Sequence, residues 1–408
     1  MDSTLDPADW DPTDPSFRRD PYPWYAALRE HAPVHRRDDV GYVLSRFEDI
    51  DGLLRSDAFG VATPSPWREV VAEHASPALA RLGEHSLLFL DPPGHSRVRS
   101  LVARAFGPKR IAALRPEVEQ VCAAILDDLA GLAGGEEVDL LGAVAEPIPI
   151  LTIARLLGVP DVDWSALHAW SVAITAFDEL PIDFLALPGA NAAATEFADY
   201  CDALIEERRR DLGEDLVSAL ISAEEDGERL SHDELVSMIM LLLIAGHDTT
   251  KSLISSGLWV LLRHPEQADR LRADDALAAS AIEELLRFES PLHVASGGGR
   301  WPRQPIELHG QVLEPGTPVR LLLGSANHDP AAFVDPDRLD LGRSARPHLA
   351  FGRGIHHCLG AALGRLEGQV VIPAVLRAFP DLALVDMTPE WRPSFVVRQL
   401  SRLVVATT

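Results

Sequence analysis

Phe351-Gly-Arg-Gly-Ile-His-His-Cys-Leu-Gly-Ala361 is the stretch on which the reading of this chain turns. Gly352 and Gly354 bend it, Cys358 follows, and Leu359-Gly-Ala-Ala-Leu-Gly-Arg-Leu-Glu367 opens a helix. Backbone amides and the dipole at such a helix start favour the cysteine as thiolate. A thiolate is a soft, electron-donating ligand suited to iron, and small glycines beside it let a flat macrocycle approach the backbone. The competing reading is a lone cysteine acting as a small buried hydrophobe. Zinc held by His356, His357 and Cys358 is disfavoured, because adjacent loop residues rarely converge on one tetrahedral ion.

Upstream lies the longest helical pattern, residues 232–263. Ser231-His-Asp-Glu234 has the spacing of a capping box, and Leu235, Met238, Ile239 and Leu242 follow as an apolar stripe. Gly246 in mid-helix costs about 1 kcal/mol against Ala. Beside Asp248-Thr249-Thr250 it suggests a local opening of the helix against a bound group, since Thr hydroxyls can bond the carbonyl four residues back. A buried helix whose polar turn caps itself is the plainer alternative.

Further helical stretches fall near 98–106, 110–133, 163–177, 190–211, 214–224, 266–272 and 275–288. Pro7, Pro12, Pro15, Pro21 and Pro23 argue against regular helix before Trp24. Strand signals are short: Tyr42-Val-Leu44, Ile306-Glu-Leu308 and Val319-Arg-Leu-Leu322 flanking the turn Glu314-Pro-Gly-Thr317, and Leu403-Val-Val-Ala406. No repeat or linker marks a boundary. The expectation is one mainly α domain over 1–408 with small β-sheets and no fused reductase.

The chain has 408 residues, 47% hydrophobic and 24% charged, which are ordinary globular values. A net charge of −25 argues against nucleic acid and against an anionic membrane surface. Three scattered cysteines, Cys122, Cys201 and Cys358, are too few for a disulfide framework. The acidic, Pro-punctuated start lacks the features of a signal peptide, and the longest interior apolar run, Met238 to Ala245, is too short to span a bilayer. A cytoplasmic, monomeric, acidic enzyme is expected.

The 351–361 segment resembles the haem-ligand signature of the cytochrome P-450 haem-thiolate monooxygenases in their soluble bacterial form. Ala245-Gly-His-Asp-Thr-Thr250 resembles the family's oxygen-activation motif, and Glu284-Leu-Leu-Arg287 its Glu-x-x-Arg pair, which Arg338 of Pro336-Asp-Arg338 would join. Leu90-Asp-Pro-Pro-Gly-His-Ser-Arg-Val-Arg99 is similar to the segment that supplies propionate ligands, and Asp20-Pro-Tyr-Pro-Trp-Tyr-Ala-Ala-Leu-Arg29 to the N-terminal motif. The likeness thus runs along essentially the whole chain. Departures are Arg353 and Gly94 at variable motif positions, Lys251 after the Thr pair, and a lengthened segment Leu292 to Arg300 with Gly297-Gly298-Gly299. That lengthening makes Arg303 a rival to Arg300.

The resemblance implies the cytochrome P-450 fold, with haem b between a long central helix and a cysteine loop. Cys358 would be the iron ligand, His95, Arg99, Arg300 and His356 the haem-binding set, and Asp248 with Thr249 the catalytic pair that delivers protons. Ile244, Ala245, Val294, Val396 and Val397 would face a mainly apolar small organic substrate, of the kind met in secondary metabolism. Electrons would come from a ferredoxin and its NAD(P)H reductase. That acidic partner would dock on basic residues near the haem loop: Arg97, Arg99, Arg104, Lys109, Arg110, Arg343, Arg346, Arg353 and Arg365. Two alternatives stay open at this point, desaturation or oxidative coupling by the same haem chemistry, and a non-catalytic haem-binding partner protein.

Overall fold

Apolar residues at helical spacing bury one face of each segment, and the long Ala- and Leu-rich stretches accordingly fold as helices joined by short sheets. The computed structural model describes residues 5–63, 73–130, 136–160, 163–176, 184–225, 227–295, 299–344 and 347–407. The readings that fall on 131–133, 177, Gly297, Gly298 and Arg346 lie outside the described residues. The chain divides into two compact units: Met1–Ala58, Arg115–Ile148 and Thr249–Thr408 form one, and Phe59–Leu114 with Pro149–Asp248 the other.

In the first unit Val34–Arg37 runs antiparallel to Gly41–Leu44, which pairs in parallel with Val319–Leu321, Val319 opposite Tyr42. A second sheet orders Leu382–Leu384, Val404–Thr407 and Glu137–Asp139, all antiparallel. Ile306–Leu308 takes its partner from Gln311–Leu313, a strand too short and too exposed to stand out in the sequence. The helix Ala361–Ala378 packs on Arg115–Ala130 and on Ala278–Phe288.

The proline-rich start is more helical than its composition suggests. Pro15–Arg19 and Tyr22–His31 are α-helices, each with proline in its first turn, where no intrahelical amide partner is lost. Trp10, fully buried, fixes this segment by edge contacts with Phe17 and His35 at 5.8 Å each and a tilted contact with Phe395.

In the second unit Trp164–Thr175 lies along Leu187–Arg210, with Trp170 stacked on Phe197 at 5.3 Å. Gly94–Ala105 packs against Leu216–Ser222, whose start is capped by Asp215 accepting from the Ser218 amide at 2.8 Å. The central helix, His232–Leu262, is continuous over 31 residues. Its capping box forms as the sequence implies: Ser231 Oγ accepts from the Glu234 amide at 3.2 Å, and Glu234 accepts from the Ser231 amide at 2.8 Å. The helix stays α-helical through Gly246, with no local opening. Close packing explains that glycine, because a Cβ there would lie 3.2 Å from Ile153 Cγ1.

The Glu284–Arg287 pair is buried and bidentate, both bonds at 2.8 Å. Its third member is Arg343 and not Arg338. Arg343 Nε donates to both Glu284 oxygens at 3.0 Å and its guanidinium reaches the carbonyls of Val334, Asp335 and Arg338. Arg338 is exposed, because the turn begun at Asp335, at φ 45°, points its side chain outward. Arg287 also donates to the carbonyls of Asn327 and Pro336. Removing one partner of a buried ionic cluster leaves the other uncompensated. Arg343→Met is therefore expected to lower stability by about 3 kcal/mol, read as the urea unfolding midpoint, whereas Arg338→Met should leave that midpoint unchanged.

Candidate active site

Cys358 is exposed, two residues before the cap of the helix Ala361–Ala378. Its amide donates to the Phe351 carbonyl at 2.9 Å, closing the turn. Gly352 and Gly354 sit at φ 64° and 67°, and Gly354 approaches so closely that a Cβ would lie 2.1 Å from the Leu54 carbonyl oxygen. The other two cysteines are buried, and burial pushes the Cys122 thiol up to about 11 and the Cys201 thiol higher still. Cys358 is thus the accessible cysteine of the chain.

Side chains of the same unit buttress this turn. Arg365 binds Glu283 bidentately at 2.6 and 3.0 Å and lies 4.4 Å over the Phe351 ring. His348 Nε2 is 3.3 Å from Glu283. Burial opposes ionisation of Glu283, but His348 and Arg365 outweigh it and hold the carboxyl at about 2. Arg353 reaches Asp51 at 3.4 Å, and Asn327 accepts from the Leu349 amide at 2.7 Å. His356 is half-buried beside this turn. Arg300 is buried, bridged to Val319, while its rival Arg303 is exposed.

On the central helix Leu241, Ile244, Ala245 and Thr249 share one face by their spacing and are accessible, whereas Leu242, Leu243 and Leu253 are buried. Asp248 is buried. The helix that follows Cys358 approaches this one at Gly364 within the first unit, where an added Cβ would stand in ordinary contact, 3.7 Å from Thr250 Oγ1. The atypical Lys251 is buried with Nζ 3.9 Å from Glu146, an ion pair that gives it a structural account.

Four of the expected site residues, Thr249, Arg300, His356 and Cys358, belong to the first unit, and His95, Arg99 and Asp248 to the second. His95 is buried in the first turn of Gly94–Ala105, with its amide on the Asp91 carbonyl at 2.9 Å. Burial first, then Arg99, holds its imidazole below the usual range. Asp91 in turn accepts from the amides of Val61 and Ala62 at 3.0 and 3.3 Å.

Within the first unit, an exposed thiol on a glycine turn and the donors Arg300 and His356 are of the kind that fit a haem and its carboxylates. The cytochrome P450 family model matches residues 184–399. The chain belongs to the cytochrome P450 family. The cytochrome P450 monooxygenase PikC of Streptomyces venezuelae is 39% identical, with 95% of this chain and 91% of that protein covered. The vitamin D(3) 25-hydroxylase of Pseudonocardia autotrophica is 38% identical over 96% of this chain and 94% of its own. The solved structure of the Bacillus subtilis bacillaene polyketide synthase cytochrome P450 PksS superposes with a TM-score of 0.89 at 32% identity, covering 98% and 100% of the two chains. This P450 is a monooxygenase and haem-iron oxidoreductase, its cofactor is haem b, and it needs redox partners. Among the described residues no helix is long and apolar enough to cross a membrane.

The first unit of this P450 holds a buried polar cluster that the sequence alone did not reveal. Glu289 accepts from Tyr22 at 2.9 Å and from Arg398 at 3.2 Å, and lies 3.6 Å from His293 Nε2. His293 meets Tyr25 at 3.0 Å, and its amide donates to the Val396 carbonyl at 2.9 Å, which sets Val294 and Val396 in place. Burial would raise the Glu289 pKa, yet Arg398, His293 and Tyr22 together bring it to about 2. The folded value lies below the unfolded 4.5, so this contribution is complete above pH 4.5 and is lost as pH falls toward 2. In urea titrations Glu289→Gln should be less stable than the parent at neutral pH, and the gap should close as pH falls through that window.

Proposed function

We propose that Cys358 supplies the axial thiolate of the haem iron and that Asp248 and Thr249 deliver the protons of the reaction. The observation that carries this is the accessible Cys358 on its glycine turn, set against two cysteines that burial makes inert. When bound, the haem supplies the iron at which dioxygen is reduced and an organic substrate oxidised. His95 and Arg99, with Arg300 and His356, are assigned to its carboxylates, as hydrogen-bond donors that match two anions. Thr249 Oγ1 donates on the accessible helix face, and the Asp248 carboxyl passes it protons from solvent. Residues 1–408 act as one catalytic domain in this reading.

The substrate is a mainly apolar small organic molecule, held by Ile244, Ala245, Val294, Val396 and Val397, and hydroxylation is the reaction proposed. Support for a role in secondary metabolism comes from the likeness to the bacillaene polyketide synthase cytochrome P450 PksS. Cys358→Ser should abolish the strongly red-shifted Soret band of the reduced, carbon-monoxide-bound enzyme, while Cys122→Ala should keep it. Retention of that band in the Cys358 variant overturns the assignment.

Electrons are proposed to come from an acidic ferredoxin. Carboxylates already pair Arg97 with Glu228 and Glu234, Arg343 with Glu284, Arg353 with Asp51 and Arg365 with Glu283. Arg104 and Lys109 are exposed and, with Arg110, line a largely apolar recess of about 820 Å³ in the second unit. Opposite charge speeds encounter with a partner there. Reduction at subsaturating ferredoxin, followed by stopped flow, should slow as salt rises, and Lys109→Glu should slow it at low salt. A salt-independent rate would contradict this docking.

A further inference from the structure

The residue before Asp248 is a fully buried histidine, and the mechanism above leaves it unused. His247 meets His168, which stands on the helix Trp164–Thr175 in the same unit. His168 Nδ1 lies 3.2 Å from His247 Nε2, with the ring centroids 5.2 Å apart and the planes at 78°. The same Nε2 lies 3.4 Å from Asp248 Oδ1. The same nitrogen therefore stands at hydrogen-bond distance from a second imidazole and at ion-pair distance from a carboxylate. His168 itself is only half-buried, so its ring has access to water. Imidazole suits such a place because it can take a proton at one moment and give it up at the next without a large change in its surroundings.

We propose that His168 and His247 form a proton relay from solvent to Asp248, an inference that rests on the role of Asp248 given above. A proton enters from water at His168 and crosses from its Nδ1 to His247 Nε2. The imidazolium so formed stands beside the Asp248 carboxylate, which stabilises it. The His247 ring then swings so that Nε2 gives the proton to Asp248 Oδ1, and His168 returns to its starting tautomer through water, taking a proton at Nδ1 and releasing the one at Nε2. No electrons move, and each proton drawn from water ends on one carboxylate oxygen. Both histidines act through Asp248 and are relay and positioning residues, not catalytic ones.

The test uses the haem-loaded enzyme, reduced and carbon-monoxide-bound so that it is diamagnetic, with ¹⁵N-labelled histidine. A scalar coupling between His168 Nδ1 and His247 Nε2 is expected, as is a displaced His247 Nε2 resonance in Asp248→Asn. His168→Asn and His247→Gln each keep a polar atom near the contacting position but cannot pass a proton. With saturating ferredoxin and reductase, and myristic acid as the probe, each should slow oxygen uptake by about tenfold and raise its solvent deuterium isotope effect. Their carbon-monoxide spectra should stay unchanged. His168 is half-buried, so His168→Asn carries the kinetic arm should His247→Gln fail to fold. Absence of the coupling in the parent overturns the relay. So does oxygen uptake that the histidine variants leave intact while Asp248→Asn slows it, and in that case the role of Asp248 stands. Uptake that Asp248→Asn leaves unchanged overturns both the role of Asp248 and the relay.

Discussion

Gly354 touches the backbone of Leu54 so closely that no other residue could occupy its place, and the presentation of Cys358 depends on that contact. A chain that turns this sharply exposes its cysteine only while its two flanks are held. Charged side chains hold them. Arg365 clamps Phe351 from the following helix through Glu283, and Glu284 with Arg287 and Arg343 ties down the segment that leads in. Breaking any one of these leaves a buried or half-buried charge with fewer counterparts, so the turn is specified by ionic geometry as much as by its glycines.

The same logic recurs away from the cysteine. Glu289, Arg398, Tyr22 and His293 form a buried polar set, and Lys251 reaches Glu146 from the middle of a buried helix. Such groups add little net stability compared with well-packed apolar residues, since desolvation offsets their attraction. They do restrict how the chain around them can be arranged, because each donor has a matching acceptor at one place only. That restriction positions Val294 and Val396 where packing alone would tolerate several arrangements.

The central helix combines two requirements that usually conflict. Its 31 residues are buried on most sides, yet the role proposed for Asp248 and Thr249 has it carry protons past apolar neighbours. The conflict is resolved within one turn of the helix. Gly246 admits Ile153 at close range on one side, while His247, Asp248 and Thr249 present polar groups on others.

Much of this protein is legible in its amino-acid order alone. The 351–361 segment, the Ser231 capping box and the helical periodicity each rest on local chemistry, in which a residue's neighbours in the chain are also its neighbours in space. The prolines mislead, because the first turn of a helix tolerates what its interior does not. What stays hidden involves partners distant in sequence. Arg343, not Arg338, joins Glu284 because of the way one exposed turn runs, and no spacing rule reports that. Lys251 finds its reason only in Glu146, which the fold sets beside it, and His168 stands 79 positions from His247. Local pattern determined where helices form and which motif marks the family. Only tertiary packing decided which charge answers which, since burial makes an ionic partner obligatory and the chain's path through space selects it.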